Sequence, residues 1–468
     1  MVKLAEICSC ESKMNSGDEF VGIRCEKVKE TGIFETKIVF PLGYFKNDDE
    51  LKSQTEESLR ESIFNLFSVL ADPSLQSDVS QDSNISVLVD DPAESIFPMV
   101  SYINVIRSFL DFGYISEKET IYKKGASGKV HWGRTIKTTK PVVEEDGENL
   151  VYLDLVARKV NHNEDSLISL VHKFCVHDAL SRLGFLFGIE PTETPMLSFD
   201  YDLFCNAINS RLAKTFVDRD LHLLADLARI VEYLAGHRTD DGNAASEFYY
   251  GVNKFAPIWE AMVDKIFGKL PQGVAKDKFN PHCEWDLSSG VRGYENPNYA
   301  MRPDTIMWDG NNKHLYVLDA KYYKFGMTGS ATDLPSSGSI CKQIAYAEYV
   351  EIHWKEIIGL DSSTSPDDSA QNDTLPKPIY NAFVLPYCFD ADNSKLPPDD
   401  GFETRPCKMR FIGYCHGDWK NIKAKPGEVD YRPYHRIAGI LLDVKSVMQN
   451  YGALGEAQKT LAELVEKN

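Results

Sequence analysis

Met301-Arg302-Pro303-Asp304-Thr305-Ile306-Met307-Trp308-Asp309-Gly310-Asn311-Asn312 runs directly into Lys313-His314-Leu315-Tyr316-Val317-Leu318-Asp319-Ala320-Lys321. Two strand-like apolar runs flank an Asp-Gly and Asn turn, which is a hairpin signal. With Trp308 paired to Lys313 across the loop 309–312, Asp304 faces Val317. Side chains alternate along a strand, so Asp319 and Lys321 share the face of Val317 and therefore of Asp304. Diagonal neighbours of this kind lie roughly 7 Å apart, near enough for two carboxylates to hold one ion.

That geometry has a chemical use. Two carboxylates bind Mg²⁺ and leave positions for water and a phosphate oxygen. The ion acidifies bound water and offsets charge building on the phosphate. A lysine two residues after the second acid can orient that water or stabilise the transition state. The bland alternative is a solvated hairpin face with a surface ion pair of little energetic value. Against it, Asp319 closes the apolar run Leu315–Leu318, where an unpartnered charge is costly. Pro303-Asp304 followed by Asp319-Ala320-Lys321 fits the PD-(D/E)XK nuclease pattern.

The flanking segments fit the same core. Residues 253–270 are predicted helical, with Trp259, Met262, Val263, Ile266, Phe267 and Leu270 forming an apolar stripe. Glu260 in that helix is either an additional metal-linked carboxylate or a solvated helix acid. A helix over 340–351 carries Gln343 and Tyr346 on one face. These two either touch the metal water and DNA backbone or cap the core. Strand-like runs follow at 379–387, 408–415 and 437–444. Helix, three strands, helix, strand is the order such a core requires.

Further out the pattern is mixed. An amphipathic helix is expected over 49–70 and others over 99–112, 165–186 and 220–234. Residues 75–94, 328–339, 361–377 and 390–400 are polar and turn-rich, as surface loops are. A polar break near 236–244 suggests a boundary between an N-terminal α+β region, 1–240, and a C-terminal nuclease domain, 241–468. The fold class expected is therefore α/β in the mixed α+β sense. Residues 122–140 hold six Lys or Arg and no acid. His131 through Lys137 resembles a strand leaving a Gly-rich turn. Lys129, Arg134 and Lys137 there are candidates for phosphate contact, or else solvated lysines and arginine on a structural strand.

Composition sets the bounds. The 468 residues are 43% hydrophobic and 26% charged, the balance of a globular protein of two or three domains. A net charge of −19 argues against a general nucleic-acid coat protein, although a local basic face is enough for a nuclease. No run of about 18 apolar residues appears, so no membrane span is expected. The N-terminus lacks signal-peptide character, which points to a cytoplasmic protein. Ten cysteines are scattered without a Cys-x-x-Cys pair and are expected to be buried thiols. His172, Cys175 and His177 cluster, but read as helix packing rather than a metal site.

The motif residues Pro303-Asp304, Asp319-Ala320-Lys321 and Gln343-Ile344-Ala345-Tyr346 resemble those of McrC-like nuclease subunits. Phe40-Pro41-Leu42-Gly43-Tyr44 and Gly128-Lys129-Val130-His131-Trp132-Gly133-Arg134-Thr135-Ile136 resemble the LlaJI restriction endonuclease family. The resemblance implies a prokaryotic restriction system that cleaves foreign double-stranded DNA with Mg²⁺. By matching position, Asp304 and Asp319 would be metal ligands and Lys321 the catalytic lysine, with Glu260 an approximate match to the family's helix glutamate. It also implies a McrB-like AAA+ GTPase partner. The chain has no Gly-x-x-x-x-Gly-Lys-Ser/Thr loop, since Gly125 through Val130 is too short. Competing readings are a repair or recombination nuclease of the same superfamily, and a non-catalytic adaptor that binds DNA or a GTPase.

Overall fold

The computed structural model describes residues 3–11, 19–28, 34–76, 97–125, 128–143, 150–163, 165–236, 247–286, 288, 292–294, 301–359, 378–389, 407–426, 428–452 and 455–466. It is a mixed α/β protein, as expected. Contacts divide it into two compact units, Asp91–Ser246 and Val2–Asp90 with Glu247–Asn468. This corrects the division at 240/241, because the described residues between 3 and 76 fold with the C-terminal half. The physical reason is strand pairing: Val21–Lys27 is sandwiched antiparallel between Phe34–Phe40 and Phe248–Val252, and Cys8–Cys10 adds on parallel to Phe34–Phe40. Gly22 lies opposite Gly251, and a Cβ on either would come within 2.3 Å of the facing backbone. Only glycine permits so close an approach.

The larger unit also contains a five-stranded sheet in the order Thr305–Asp309, His314–Ala320, Ile379–Tyr387, Ile437–Asp443, Met409–Cys415. The two inner pairings are parallel and the two outer ones antiparallel. Central strands buried on both faces need continuous apolar runs, which Leu315–Leu318 and Ala382–Leu385 supply. One face is covered by the helix Ser337–Ile357, whose Tyr346, Ala347, Val350 and Trp354 pack on Ile306, Leu315, Val317 and Ile379. Trp308 and Trp354 meet at 5.4 Å between ring centres. The other face meets the helix Gly455–Glu466, whose Glu466 accepts from the Tyr316 hydroxyl and lies 2.7 Å from His314. That helix is tied to Ala256–Phe267 by the Gln458 amide on the Ile266 carbonyl.

The unit Asp91–Ser246 packs the helices Met99–Phe112, Leu167–Phe187, Tyr201–Leu212 and Asp218–Gly236 beside a sheet ordered Glu117–Lys124, Val156–Asn163, Lys129–Val130. A buried polar cluster joins the helices: Asp226 accepts from Ser101 at 2.8 Å, and Asp178 from Tyr102 at 2.7 Å. His172 Nδ1 accepts the Ile115 amide, and burial lowers its imidazole to about 4. His177 donates to the Thr192 carbonyl. The His172–His177 cluster is thus core packing.

Several local expectations are revised. The helix over 49–70 is two, Asp48–Ser53 and Glu56–Ala71, because Thr55 turns out of the helix and its hydroxyl caps the Ser58 amide. The stretch 131–137 is not a strand. Trp132–Thr138 is a short helix that starts where His131 Nδ1 accepts the Arg134 amide. The loop 328–339 is partly helical, and the next helix begins at Ser337. The polar stretches 361–377 and 390–400, residues 237–244 of the expected boundary and most of 75–94 lie outside the described residues. Cys283 and Cys341 are exposed, whereas Cys8, Cys10, Cys25, Cys175, Cys388 and Cys407 are buried as expected. Among the described residues no helix is long and apolar enough to cross a membrane.

Candidate active site

The hairpin forms, with a register shifted from the expected one. Asp309, not Trp308, closes the strand pair, opposite His314. Lys313 adopts a left-handed backbone (φ 57°) and belongs to the turn. The Asp309 carboxylate holds that turn by accepting from the Asn311 amide and the Asn312 side chain. Thr305 pairs with Leu318, so one step further along Asp304 lies beside Asp319. The shift is by an even number of residues, which leaves the shared face intact.

Asp304 is fixed from two sides. Its Oδ2 accepts the Ala320 amide at 2.8 Å. Its carbonyl accepts from Lys276 Nζ at 2.5 Å, and the same ammonium pairs with Asp264 at 2.9 Å. Asp319, 5% exposed, ends the His314–Ala320 strand and pairs with Lys321 Nζ at 2.7 Å. The Lys321 amide continues the parallel ladder by donating to Val384 O. Asp304, Asp319 and Lys321 are therefore brought together by one hairpin and one strand end.

The electrostatics follow from burial. The Asp304 carboxyl is pushed well above the ordinary range, first by burial, then by the Asp319 and Glu260 charges, and by a hydrogen bond to Asp319. Two carboxylates in one dry site resist ionising together. For Lys321, burial alone would lower the ammonium, but Asp319 and Asp304 outweigh it and the net direction is up. Glu260, on the helix Ala256–Phe267, is close enough to act on both groups. A divalent cation would relieve the crowding of negative charge. Mg²⁺ uses one or two carboxylates plus water and phosphate oxygens, and the pair supplies that donor set. Among the described residues no three His, Cys, Asp or Glu side chains form a dedicated metal cage.

Gln343 sits differently from Tyr346. The Gln343 amide is fully buried and donates to Val317 O at 2.7 Å and to Asn381 Oδ1 at 3.3 Å. Asn381 returns bonds to the Gln343 and Tyr434 carbonyls. That arrangement locks the helix to the sheet. Tyr346 is the residue of this helix that feels the acid pair: burial, then Asp319 and Asp304, push its phenol up, and its hydroxyl accepts the Arg302 amide. Lys276 and its contact with Asp304 left no mark in the sequence, since the two lie 28 positions apart without a motif.

Lys129, Arg134 and Lys137 belong to the other unit, on the Lys129–Val130 strand and the Trp132–Thr138 helix. The Arg134 guanidinium lies 3.9 Å over the Tyr122 ring. Trp132 beside it is 56% exposed. A planar cation held on an aromatic face keeps its outward N–H groups available for phosphate.

Comparison with known proteins narrows the identity. The chain is 25% identical over 248 residues to the type II restriction enzyme BsuMI component YdjA of Bacillus subtilis (strain 168), covering 51% of each. It thus spans about half the length of the curated relative it matches. Among solved structures it aligns with a refined half-complex from the tetradecameric assembly of Thermococcus gammatolerans McrB AAA+ hexamers with bound McrC. There the identity is 13%, the coverage 96% of this chain and 82% of that one, and the TM-score 0.31. Residues 33–392, well over half of the chain, match the family described as LlaJI restriction endonuclease. The chain belongs to the LlaJI restriction endonuclease family.

Proposed function

We propose that this chain is the Mg²⁺-dependent DNA endonuclease of a prokaryotic restriction system and cleaves foreign double-stranded DNA through a PD-(D/E)XK site. The observation that carries the reading is the buried gathering of Asp304, Asp319 and Lys321 at one end of the sheet. A scaffold has no physical use for two carboxylates crowded together in a dry site. Asp304 and Asp319 would hold the metal, with Glu260 as an additional acid acting on it. When bound, Mg²⁺ supplies charge neutralisation at the phosphate and lowers the pKa of water. Lys321 orients the attacking water and offsets the charge on the phosphate oxygens. The water oxygen bonds to phosphorus and gives up a proton to solvent, the ester P–O bond breaks, and the departing oxygen takes a proton from solvent. Gln343 holds the helix that brings Tyr346 to the acids.

Lys129, Arg134 and Lys137 fit a phosphate-contacting role in the other unit. The enzyme acts in the cytoplasm as a type II or McrBC-like restriction endonuclease, together with a McrB-like AAA+ GTPase subunit that supplies nucleotide hydrolysis. The test is incubation of unmodified and methylated plasmid with Mg²⁺, with and without the neighbouring GTPase and GTP, using wild type and Asp319→Ala. Wild type is expected to cleave and Asp319→Ala to be inactive yet folded. Equal cleavage by both in a clean preparation would refute the site. Binding without cleavage by wild type under every condition would favour an adaptor.

A further inference from the structure

The Phe40-Pro41-Leu42-Gly43-Tyr44 turn has no part in the chemistry above, yet it lies against the end of the strand that carries Asp319. Three groups from distant parts of the chain meet there. The Tyr322 hydroxyl donates to Glu11 Oε2 at 2.5 Å. The Leu42 amide donates to the Tyr322 oxygen at 2.6 Å and reaches Glu11 Oε2 at 3.1 Å. Tyr322 follows Lys321 directly, and its ring packs against Phe255 with centroids 5.7 Å apart. Phe255 is the N-terminal cap residue of the helix that bears Glu260. The turn itself is held against the neighbouring strand: Gly43 has φ +85°, and a Cβ there would come within 2.9 Å of Val444 and 3.1 Å of the Tyr387 amide. Leucine at position 42 contributes its backbone N–H, so the contact depends on the turn's shape more than on a side chain.

We infer that Glu11, the Leu42 amide and Tyr322 form a positioning clamp through which the N-terminal sheet sets the placement of Lys321 relative to the acids. This rests on the nuclease reading of the site. The chain leaves the sheet after Ala320, so past the Lys321 amide bond to Val384 the ladder no longer holds it. The next side chain along, Tyr322, is the anchor. A hydroxyl that both accepts and donates in a partly enclosed site has a defined direction, and a carboxylate that takes both donors fixes the triangle. Tyr322, Glu11 and Leu42 touch neither acid nor lysine side chain in the contacts above. They act through the backbone that carries Lys321.

The experiment uses full-length wild type, Tyr322→Phe, Glu11→Gln, Glu11→Leu and Asp319→Ala, under the conditions in which wild type cleaves. Cleavage rate at saturating DNA and Mg²⁺, DNA KM, the Mg²⁺ midpoint and thermal unfolding are measured for each. Tyr322→Phe and Glu11→Leu are expected to lower kcat about tenfold with KM and the Mg²⁺ midpoint unchanged, because misplacement of a catalytic group acts on the rate. Glu11→Gln, which keeps an oxygen to accept the hydroxyl, is expected to restore most of the rate. Wild-type rates in Tyr322→Phe and Glu11→Leu, or losses that only track the unfolded fraction, overturn the clamp while leaving the nuclease reading in place. Should Tyr322→Phe not fold, the contrast between Glu11→Leu and Glu11→Gln decides alone. Equal cleavage by wild type and Asp319→Ala removes the nuclease reading and the clamp with it.

Discussion

Replacing Asp304 with asparagine separates the acid pair's catalytic value from its cost to the fold. The substitution keeps an oxygen to accept the Ala320 amide and an N–H to meet Asp319, while removing one ionisable group from a site where burial, Asp319 and Glu260 all oppose its charge. An unfolded Asp ionises near pH 4, and folded metal-free Asp304 keeps its proton to a much higher pH. The folded state then binds one proton more than the unfolded state, so stability is present below about pH 4 and is lost as pH rises, at about 1.4 kcal/mol per pH unit. The loss levels off once Asp304 ionises. Asparagine has no such slope. Above about pH 4 the variant should gain on wild type as pH rises, at a rate no greater than the slope of about 1.4 kcal/mol per pH unit, and its urea midpoint should climb relative to that of wild type. The assay is urea unfolding in EDTA at pH 5, 6, 7 and 8, followed by tryptophan fluorescence, with the Trp308–Trp354 pair in the same unit as the reporter. Added Mg²⁺ should stabilise wild type at pH 8 and leave the variant nearly unmoved, because the ion needs both carboxylates charged. Stability curves for the two proteins that run parallel from pH 5 to 8 would refute the shared-proton argument.

Three further outcomes are expected. Gln343→Leu should cost about 2–3 kcal/mol in urea unfolding by stranding the Val317 carbonyl and Asn381, with less than a tenfold loss of cleavage per folded molecule. Lost cleavage with unchanged stability would instead place Gln343 in the chemistry. Lys276→Met should raise the Mg²⁺ concentration for half-maximal cleavage on the order of tenfold and leave the saturated rate alone, since it frees the Asp304 carbonyl; an unchanged midpoint would remove Lys276 from the site's support. Replacing Lys129, Arg134 and Lys137 with glutamine should reduce the slope of log K against log salt by about 0.9 for each lost phosphate contact, and an unaltered slope would assign that surface another task.

The hairpin and the strands after it were legible because period and punctuation agreed. The Ile379–Tyr387 strand has the expected bounds, and so does the Met99–Phe112 helix. The register error arose because Lys313 takes a positive φ that its side chain does nothing to announce. The faces survived the error because side-chain parity depends only on whether a shift is odd or even. At 131–137 the Gly-rich turn before it suggested a strand, and the cap from His131 Nδ1 produced a short helix instead. The division at residue 240 failed for a different reason. A polar break marks where chain can leave a domain, and says nothing about whether an earlier strand returns to pair beyond it.

Local spacing was therefore enough to name two acids and a lysine on one face of a hairpin, because alternation along a strand is a property of the covalent chain. Which of their neighbours matter was decided in three dimensions. Lys276 on the Asp304 carbonyl, and Glu11 with the Leu42 amide on Tyr322, come from segments up to 311 positions away. Hydrogen bonds and desolvation act over a few ångströms of space, and no pattern in a linear sequence records which remote residues will share those ångströms.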